Sequence, residues 1–87
     1  MSKYTIVLSK KSQKILDALS DSIVEPIYNA IIALEESPRP IGCRKLKGRD
    51  AYRIRAGNYR IIYEIIDNML IINVITIGHR KDIYRNI

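Results

Sequence analysis

The sequence predicts a single α+β domain in which a strand and a helical hairpin precede an antiparallel sheet. Two observations support this prediction. Apolar residues in the first half recur at helical spacing, whereas those after residue 43 alternate with polar residues, as in half-buried strands. Short turn signals separate three alternating segments, which is typical of an antiparallel meander. The 87-residue chain has room for one hydrophobic core, so we expect residues 1–87 to form one domain.

A short strand and a capped helix are predicted at the start of the chain. Residues 3–8 read KYTIVL, which suits a strand of about six residues. Ser9 is placed to cap a helix over about residues 10–19, because serine side chains accept hydrogen bonds from the first free N–H groups. Ile15, Leu16 and Leu19 would then share one face of this helix.

A second helix is predicted to end near Ser37. Its apolar residues recur at helical spacing, namely Ile23, Ile27, Ile31 and Leu34. Because proline breaks a helix interior, we expect Pro26 in or next to the first turn. The sequence SPRP at 37–40 ends the helix. A polar break between the two helices predicts a tight helical hairpin.

The second half predicts three consecutive strands. The turn signals are Gly57-Asn58 and Asp67-Asn68, and the predicted strands are 51–56, 59–66 and 69–78. The stretch RKLK at 44–47 has the length of one additional short strand. We expect the helices to cover one face of the sheet, with Tyr52 and Ile54 pointing to the core. Arg53 and Arg55 would then project from the opposite face.

Positive charge is concentrated in the second half of the chain. The whole chain has a formal net charge of +6, yet residues 1–43 carry five cationic and five acidic side chains. Residues 44–87 carry ten cationic and four acidic side chains, and seven of these cations are arginine. Arginine favours bidentate contacts with phosphate, so a surface for a polyanion such as nucleic acid is one interpretation. A basic face that only keeps the protein soluble is the other.

Several classes of protein are disfavoured by the composition. The single cysteine, Cys43, cannot form an intrachain disulfide or a cysteine-built zinc site. We find no glycine-rich phosphate loop, no paired metal-ligand motif and no signature of a serine or cysteine nucleophile. No apolar run approaches the roughly 18 residues that span a bilayer. We therefore expect a cytoplasmic protein without metal, cofactor or membrane partner.

A cluster of cations and one tyrosine is the candidate site. Arg55 and Arg60 flank the Gly57-Asn58 turn, and Arg80 and Tyr84 follow the last predicted strand. Grouping like charges is unfavourable unless an anion joins them, and an RNA backbone would supply it. Long arginine side chains that extend into water independently are the alternative.

This cluster suits RNA cleavage without a metal ion. In that reaction the 2′-hydroxyl attacks the adjacent phosphorus, with help from a base, surrounding cations and an acid at the leaving oxygen. Arginines supply the cations, and a tyrosine can orient the substrate. Arginine holds its proton too tightly to be the base. His79, the only histidine, is a candidate because histidine titrates near neutral pH, although a polar surface residue is the simpler interpretation.

Three segments together resemble the RelE branch of the RelE/ParE toxin superfamily. These are LEESPRP followed by KLKG, then YRIRAGNYRIIYEI, and finally VITIGHRKDIYR. The resemblance covers nearly the whole chain and includes the order of the predicted elements. It implies a toxin of a type II toxin–antitoxin pair that cuts mRNA in the ribosomal A site by attack of the 2′-hydroxyl. It also implies a cognate acidic antitoxin that wraps the toxin.

The family's functional positions match five residues of this chain. Arg53 and Arg55 match the alternating basic pair, which is lysine in the best-known pattern, and Arg60 matches the arginine after the turn. Arg80 and Tyr84 match the arginine and tyrosine of the C-terminal segment. Many relatives share the GHR…Y ending, which favours His79 as an acid–base candidate. Wider contacts with ribosomal RNA are expected from the basic residues Lys45, Lys47 and Arg49.

The leading hypothesis is therefore a ribosome-dependent endoribonuclease. Arg60 and Arg80 would stabilise the phosphate charge, Tyr84 would orient the substrate, and Arg53 and Arg55 would bind RNA. A ParE-like inhibitor of DNA gyrase is one alternative, because the same superfamily includes that activity. A non-catalytic RNA-binding relative is the other, because arginines replace the family's lysines.

Overall fold

The computed structural model describes residues 3–79, in an α+β arrangement of two helices and five strands. In chain order the elements are β1 (Thr5–Leu8), α1 (Lys10–Ala18), α2 (Asp21–Ala33), β2 (Arg44–Lys45), β3 (Tyr52–Ala56), β4 (Tyr59–Ile66), a 3₁₀ turn (Asp67–Met69) and β5 (Ile71–His79). The predicted fold class is confirmed. Two of the predicted site residues, Arg80 and Tyr84, lie outside the described residues.

The strands form one mixed sheet in the order β1-β5-β4-β3-β2. Strands β3, β4 and β5 form the predicted antiparallel meander, and β2 adds a short antiparallel strand at one edge. Strand β1 lies parallel to β5 at the other edge, with Thr5 opposite Ile71. The intervening chain, which contains both helices and the strands β2–β4, supplies the long connection that parallel strands need.

Helix α1 is capped and fixed to the sheet by two serines. The Oγ of Ser9 accepts a hydrogen bond from the Ser12 N–H at 3.0 Å, which confirms the predicted cap. The same Ser9 hydroxyl donates to the Ile75 carbonyl at 2.8 Å, and the buried Ser12 hydroxyl donates to the Val74 carbonyl at 3.2 Å. The start of α1 is therefore tied directly to the middle of β5.

Helix α2 ends earlier than predicted. It begins at Asp21, so Pro26 is the sixth residue and lies in the second turn, directly after the first. Proline has no N–H for the Ser22 carbonyl, but both residues are exposed and water can satisfy that oxygen. The helix ends at Ala33, and a hydrogen-bonded turn reaches Ser37. Within residues 3–79, no helix is long and apolar enough to cross a membrane.

The main core lies between the helices and one face of the sheet, called here the core face. Helix α2 contributes Ile27 and Ile31, and its C-cap residue Leu34 adds a third side chain; each is at most 2% exposed. They pack with fully buried residues of β4 and β5, including Ile61, Tyr63, Ile72 and Val74. Burial of such side chains stabilises the fold by roughly 1.5–3 kcal/mol each, so this face supplies most of the stability.

A β-bulge in β5 changes which residues face the core. Ile62 pairs with Thr76 and Tyr63 pairs with Val74, so Ile75 is the extra residue. Ile75 packs in a small second cluster with Ile62 and Ala51 on the face opposite the core. The two carbonyls that receive the Ser9 and Ser12 hydroxyls are those of Val74 and Ile75. The serines therefore satisfy backbone groups at the irregularity, where ladder hydrogen bonding is disrupted.

Candidate nucleic-acid interface

Four arginines lie on the sheet face opposite the core, and we call this surface the arginine face: Arg44, Arg53, Arg55 and Arg60. Arg55 is directly opposite Arg60 in the β3–β4 hairpin. Arg44 is directly opposite Arg53 in the β2–β3 pair. Cross-strand partners project from the same face at Cβ distances of about 4.5–5.5 Å. Three strands thus bring four guanidinium groups to one surface.

The alternation of β3 explains why the arginines share this face. Ile54 and Ala56 are buried on the core face, whereas Arg53 is half-buried and Arg55 is exposed on the other. Successive side chains of a strand point to opposite faces, so burial of Ile54 determines where its two neighbours project. The two-residue turn at Gly57-Asn58 sets the register that places Arg60 beside Arg55.

The charge of the arginine face is poorly compensated. Among residues 3–79, Arg44, Arg55 and Arg60 make no ion pair with any carboxylate. The Nε of Arg60 is buried and has no hydrogen-bond partner in this part of the chain. Glu64 lies four residues farther along β4, about 13 Å from Arg60, and accepts a hydrogen bond from Asn73. The face therefore suits an incoming anion.

The basic loop at residues 46–51 is anchored beside the arginine face. Ala51 is 1% exposed, and Leu46 packs against the Ala51–Ile62 cluster. The Leu46 N–H also donates to the Ala51 carbonyl at 2.8 Å. This anchoring leaves Lys47 and Arg49 exposed. The structure thus places two of the three predicted wider RNA contacts, Lys47 and Arg49, in a loop beside the arginine face.

Lys45, the last residue of β2, is directly opposite Tyr52 and therefore projects from the core face. Its Nζ lies 3.8 Å from a carboxylate oxygen of Asp50, and both side chains are mostly exposed. Exposed pairs of this kind contribute about 0–1 kcal/mol. Lys45 can therefore exchange Asp50 for a phosphate at little cost.

A cleft of about 460 Å³ adjoins the outer edge of β3. Strand β2 pairs only with Tyr52 and Arg53, which leaves the rest of this edge facing the cleft. The residues lining it are Ala30, Ala33, Pro40, Ile41, Gly42, Arg44, Arg53, Ile54 and Arg55. The cleft thus combines cationic groups with an apolar surface, a combination that can bind both phosphates and bases.

His79 lies on the core face, away from the arginines. It is directly opposite Tyr59, and the two rings meet edge to face with centroids 5.6 Å apart. Gly78 is the β5 residue directly opposite Arg60 on the arginine face. Since glycine has no side chain, β5 places no side chain directly opposite Arg60 on this face. The structure does not bring His79 together with Arg55 and Arg60.

Comparison with known proteins identifies the family. Residues 6–84 match the sequence model of the ParE toxin of the type II toxin–antitoxin system parDE. The mRNA interferase toxin RelE of Escherichia coli strain K12 is 31% identical over 81 residues, which cover 90% of this chain and 84% of that protein. The chain belongs to the RelE branch of the RelE/ParE toxin superfamily. It is a RelE-family toxin of a toxin–antitoxin system.

Solved structures of RelE toxins share the fold. The RelE–RelB complex of Pyrococcus horikoshii contains a chain with a TM-score of 0.80 and 27% identity, covering 90% of this toxin and 96% of that chain. The intact E. coli RelBE complex gives a TM-score of 0.76 and 29% identity, covering 87% of this toxin and 95% of that chain. The predicted resemblance to the RelE branch is therefore confirmed.

For this RelE-family toxin, the structure places the predicted site residues in three groups. Arg53, Arg55 and Arg60 share the arginine face, and the basic loop lies beside them. His79 lies on the core face, and its catalytic role stays a prediction. The sequence does not indicate a role for Arg44, because a two-residue strand shows no alternation. Its only signal is that it begins the RKLK stretch, which has the length of a short strand.

Proposed function

We propose that this RelE-family toxin is a ribosome-dependent endoribonuclease that cleaves mRNA in the A site. The observation that carries the proposal is the arginine face, where four arginine side chains from three strands share one face of the sheet. Arg44, Arg55 and Arg60 have no carboxylate partner within residues 3–79. Two relatives that are each 31% identical to this chain, from E. coli and Shigella flexneri, are named mRNA interferases, which supports the proposal.

The proposed reaction is intramolecular transesterification of the RNA. The 2′-oxygen loses its proton and forms a bond to the adjacent phosphorus, while the bond from phosphorus to the 5′-oxygen breaks. The products are a 2′,3′-cyclic phosphate and a 5′-hydroxyl, which takes up a proton. Guanidinium groups on the arginine face would stabilise the extra negative charge of the pentacoordinate phosphorus. The proposed reaction uses no metal ion.

The position of each residue suggests its role in the proposed reaction. Arg55 and Arg60 face each other across the hairpin, so both can contact one phosphate bidentately. Arg53, Arg44 and the basic loop would bind flanking RNA, including ribosomal RNA. For Arg80 and Tyr84 we propose, from the family pattern, stabilisation of the leaving group and orientation of the substrate.

The proposed protein partner is a cognate acidic antitoxin. The related toxins of E. coli and P. horikoshii were solved in complex with RelB antitoxins. In this chain the arginine face and the cleft beside β3 combine excess positive charge with apolar surface. An acidic protein would neutralise this surface and occupy the RNA site at the same time. Co-purification with an acidic protein encoded by an adjacent gene tests this proposal.

Primer extension on a reporter mRNA, after induction in the cytoplasm of a bacterial host, tests the nuclease proposal. Wild-type toxin should produce cuts inside codons of the translated region. Arg55→Ala and Arg80→Ala should each reduce cutting by about 100-fold or more, because each removes a donor to transition-state charge. Tyr84→Phe, which keeps the ring and removes the hydroxyl, should reduce it less.

A charge-matched control separates the site from general electrostatics. Lys11→Ala removes one exposed cation from α1, which packs on the core face of the sheet. We expect Lys11→Ala to cut within about threefold of wild type, since distant surface charges are largely screened. Cutting by Arg55→Ala at the Lys11→Ala level would contradict the assigned site. Equal cutting of untranslated mRNA would contradict dependence on the ribosome.

Inhibition of DNA gyrase is the second candidate function. The observation that favours it is the description of the matching family model, which names ParE toxins. This activity needs a surface for a topoisomerase and no RNA-cleaving group. Signs of DNA damage after induction, with reporter mRNA intact, would support gyrase inhibition and reject the nuclease proposal.

A further inference from the structure

The connection between α2 and β2 is tied to the sheet by an exposed polar cluster that the proposed reaction does not use. Arg39 in this connection donates from Nη2 to Asp67 Oδ2 at 2.9 Å and from Nη1 to Oδ1 at 3.4 Å. The Tyr4 hydroxyl donates to the same Oδ1 at 2.6 Å. Asp67 starts the turn between β4 and β5, so the cluster joins segments that are distant in the chain.

Arg39 also contacts β3. Its Nε donates to the Tyr52 hydroxyl at 3.3 Å, and its guanidinium carbon lies 5.4 Å from the centre of the Tyr52 ring. A cation over an aromatic face at this distance is attracted by the ring quadrupole. Tyr52 in turn stacks on Tyr63, with ring centroids 5.9 Å apart. One arginine therefore binds an acid, a hydroxyl and a ring together.

A buried hydrogen bond holds the preceding residue of the connection. The hydroxyl of fully buried Tyr63 donates to the Pro38 carbonyl at 2.8 Å. Directly after Arg39 the chain turns sharply, with the Cys43 N–H donating to the Pro40 carbonyl and Gly42 at a φ of +93°. The left-handed conformation at this position suits glycine. The connection is thus held at Pro38 by a buried hydrogen bond and reverses direction in the turn at residues 40–43.

The fixed connection forms one wall of the cleft beside the arginine face. Pro40, Ile41 and Gly42 line the cleft together with Arg53 and Arg55. Arg44, the first residue of β2, follows this wall and also lines the cleft. The position of the connection therefore sets both the width of the cleft and the place of Arg44.

We propose that Arg39, Asp67 and Tyr52 form a clasp that holds residues 37–43 and thereby positions Arg44 and the cleft for substrate. The part of this inference that concerns substrate rests on the proposed nuclease function. The three clasp residues lie outside the arginine face, so they are positioning residues. Opening of the clasp would move the cleft wall without removing any cation from the arginine face.

Cys43 provides a direct probe of the clasp. It is the only cysteine of the chain, is half-buried, and packs against the main core at the end of the connection. A thiol in a segment that opens locally reacts at a rate that follows the open population. Alkylation by N-ethylmaleimide, followed by intact mass, therefore measures how firmly residues 37–43 are held, whether or not the protein cleaves RNA.

The key variants remove opposite charges from the clasp. Arg39→Gln removes a cation and Asp67→Asn removes an anion, so any purely electrostatic effect on the Cys43 thiolate has opposite sign in the two. Opening of the clasp accelerates alkylation in both, by about two- to fivefold for an exposed bidentate pair. Asp50→Asn, which breaks the exposed pair with Lys45, is the matched control and should alkylate at the wild-type rate.

Cleavage kinetics on ribosome-bound mRNA test the positioning role. Arg39→Gln and Asp67→Asn should raise KM by about two- to fivefold with kcat unchanged, because the loss affects binding geometry and not the reacting groups. Tyr4→Phe, which removes one hydrogen bond to Asp67, should give a smaller rise. The double variant should match the single variants, since either one opens the clasp.

Three results would overturn the inference. Alkylation of Cys43 at the wild-type rate in both single variants would show that the clasp does not hold the connection. Rates that move in opposite directions would show a charge effect alone. Faster alkylation with an unchanged KM would show that the connection does not position substrate. If wild-type toxin cleaves no RNA, the positioning claim fails with the proposed function, whereas alkylation still decides whether the clasp exists.

Discussion

The two faces of the sheet are built from neighbouring residues of the same strands, yet they have opposite energetic roles. Ile61 is fully buried on the core face, whereas Arg60, one residue earlier, lies on the arginine face. The core face gains free energy from apolar burial. The arginine face places Arg55 directly opposite Arg60, and like charges in that position are destabilising.

This difference separates residues that determine stability from residues that determine function. The cluster disfavours folding, and three of its members, Arg44, Arg55 and Arg60, have no carboxylate partner within residues 3–79. Such a cluster is typical of a binding site, where stability is lower than it could be. Substitutions on one face should therefore change the free energy of unfolding, and those on the other should change activity.

Replacing Ile61 with alanine should produce the largest loss of stability. The side chain is 0% exposed and packs in the main core, so the substitution leaves a cavity that costs about 2–5 kcal/mol. Urea denaturation followed by circular dichroism measures this loss. Cleavage per folded molecule should stay near the wild-type value. A loss of stability below 1 kcal/mol would mean that the core face is less tightly packed than described.

Replacing Arg60 with alanine should reduce cleavage and leave stability nearly unchanged, which is the opposite of the result expected for Ile61→Ala. We expect cleavage of ribosome-bound mRNA to fall by about 100-fold, equivalent to about 2.7 kcal/mol of transition-state stabilisation. The free energy of unfolding should change by no more than about 0.5 kcal/mol, because the substitution also relieves repulsion with Arg55. Stability and activity that fall together would contradict the separation of the two faces.

Replacing Tyr63 with phenylalanine should reduce stability by about 0.5–1.5 kcal/mol, through loss of the hydrogen bond to Pro38. Burial raises the pKa of the Tyr63 hydroxyl in the folded protein, and the neighbouring Cys43 adds to this effect. A raised folded pKa stabilises the protein below the unfolded pKa, which is near 10. That contribution is lost as pH rises above about 10, because the unfolded state then releases its proton.

The free energy of unfolding measured above pH 10 tests the raised pKa of Tyr63 separately from its hydrogen bond. Wild-type stability should decline above about pH 10, and Tyr63→Phe should decline less steeply over the same range, since it lacks the hydroxyl. Tyr28→Phe, an exposed tyrosine of α2, is the control and should keep the wild-type slope. Equal slopes in Tyr63→Phe and wild type would contradict the assignment.

Replacing His79 with alanine should have the smallest effect on cleavage, below about threefold, because the ring lies on the core face beside Tyr59. Loss of the edge-to-face contact should reduce stability by about 0.5–1.5 kcal/mol. A pH–rate profile of the variant provides the sharper measurement. Disappearance of an ionisation near neutral pH, with a large fall in kcat, would show that His79 acts as the acid or base.

Much of the sheet could be predicted because its signals are local. Alternation over Tyr52–Ala56 predicted both the strand and the face of its arginines, and the Gly57-Asn58 turn predicted the pairing that joins Arg55 to Arg60. The conformation of the second turn, between β4 and β5, could not be predicted from the sequence. Its 3₁₀ turn ends with Leu70 at a φ of +54°, a left-handed conformation that leucine rarely adopts. No glycine or asparagine indicated that position.

The amino-acid sequence by itself determined the order of the elements and the arginines that alternate with core residues, because period-two spacing and turn chemistry act over a few residues. Only the tertiary structure placed β1 parallel to β5, shifted β5 by a bulge at Ile75 and turned His79 away from the arginines. The same is true of the Arg39–Asp67 clasp. These features depend on contacts between distant segments, and such contacts form only when packing brings the segments together.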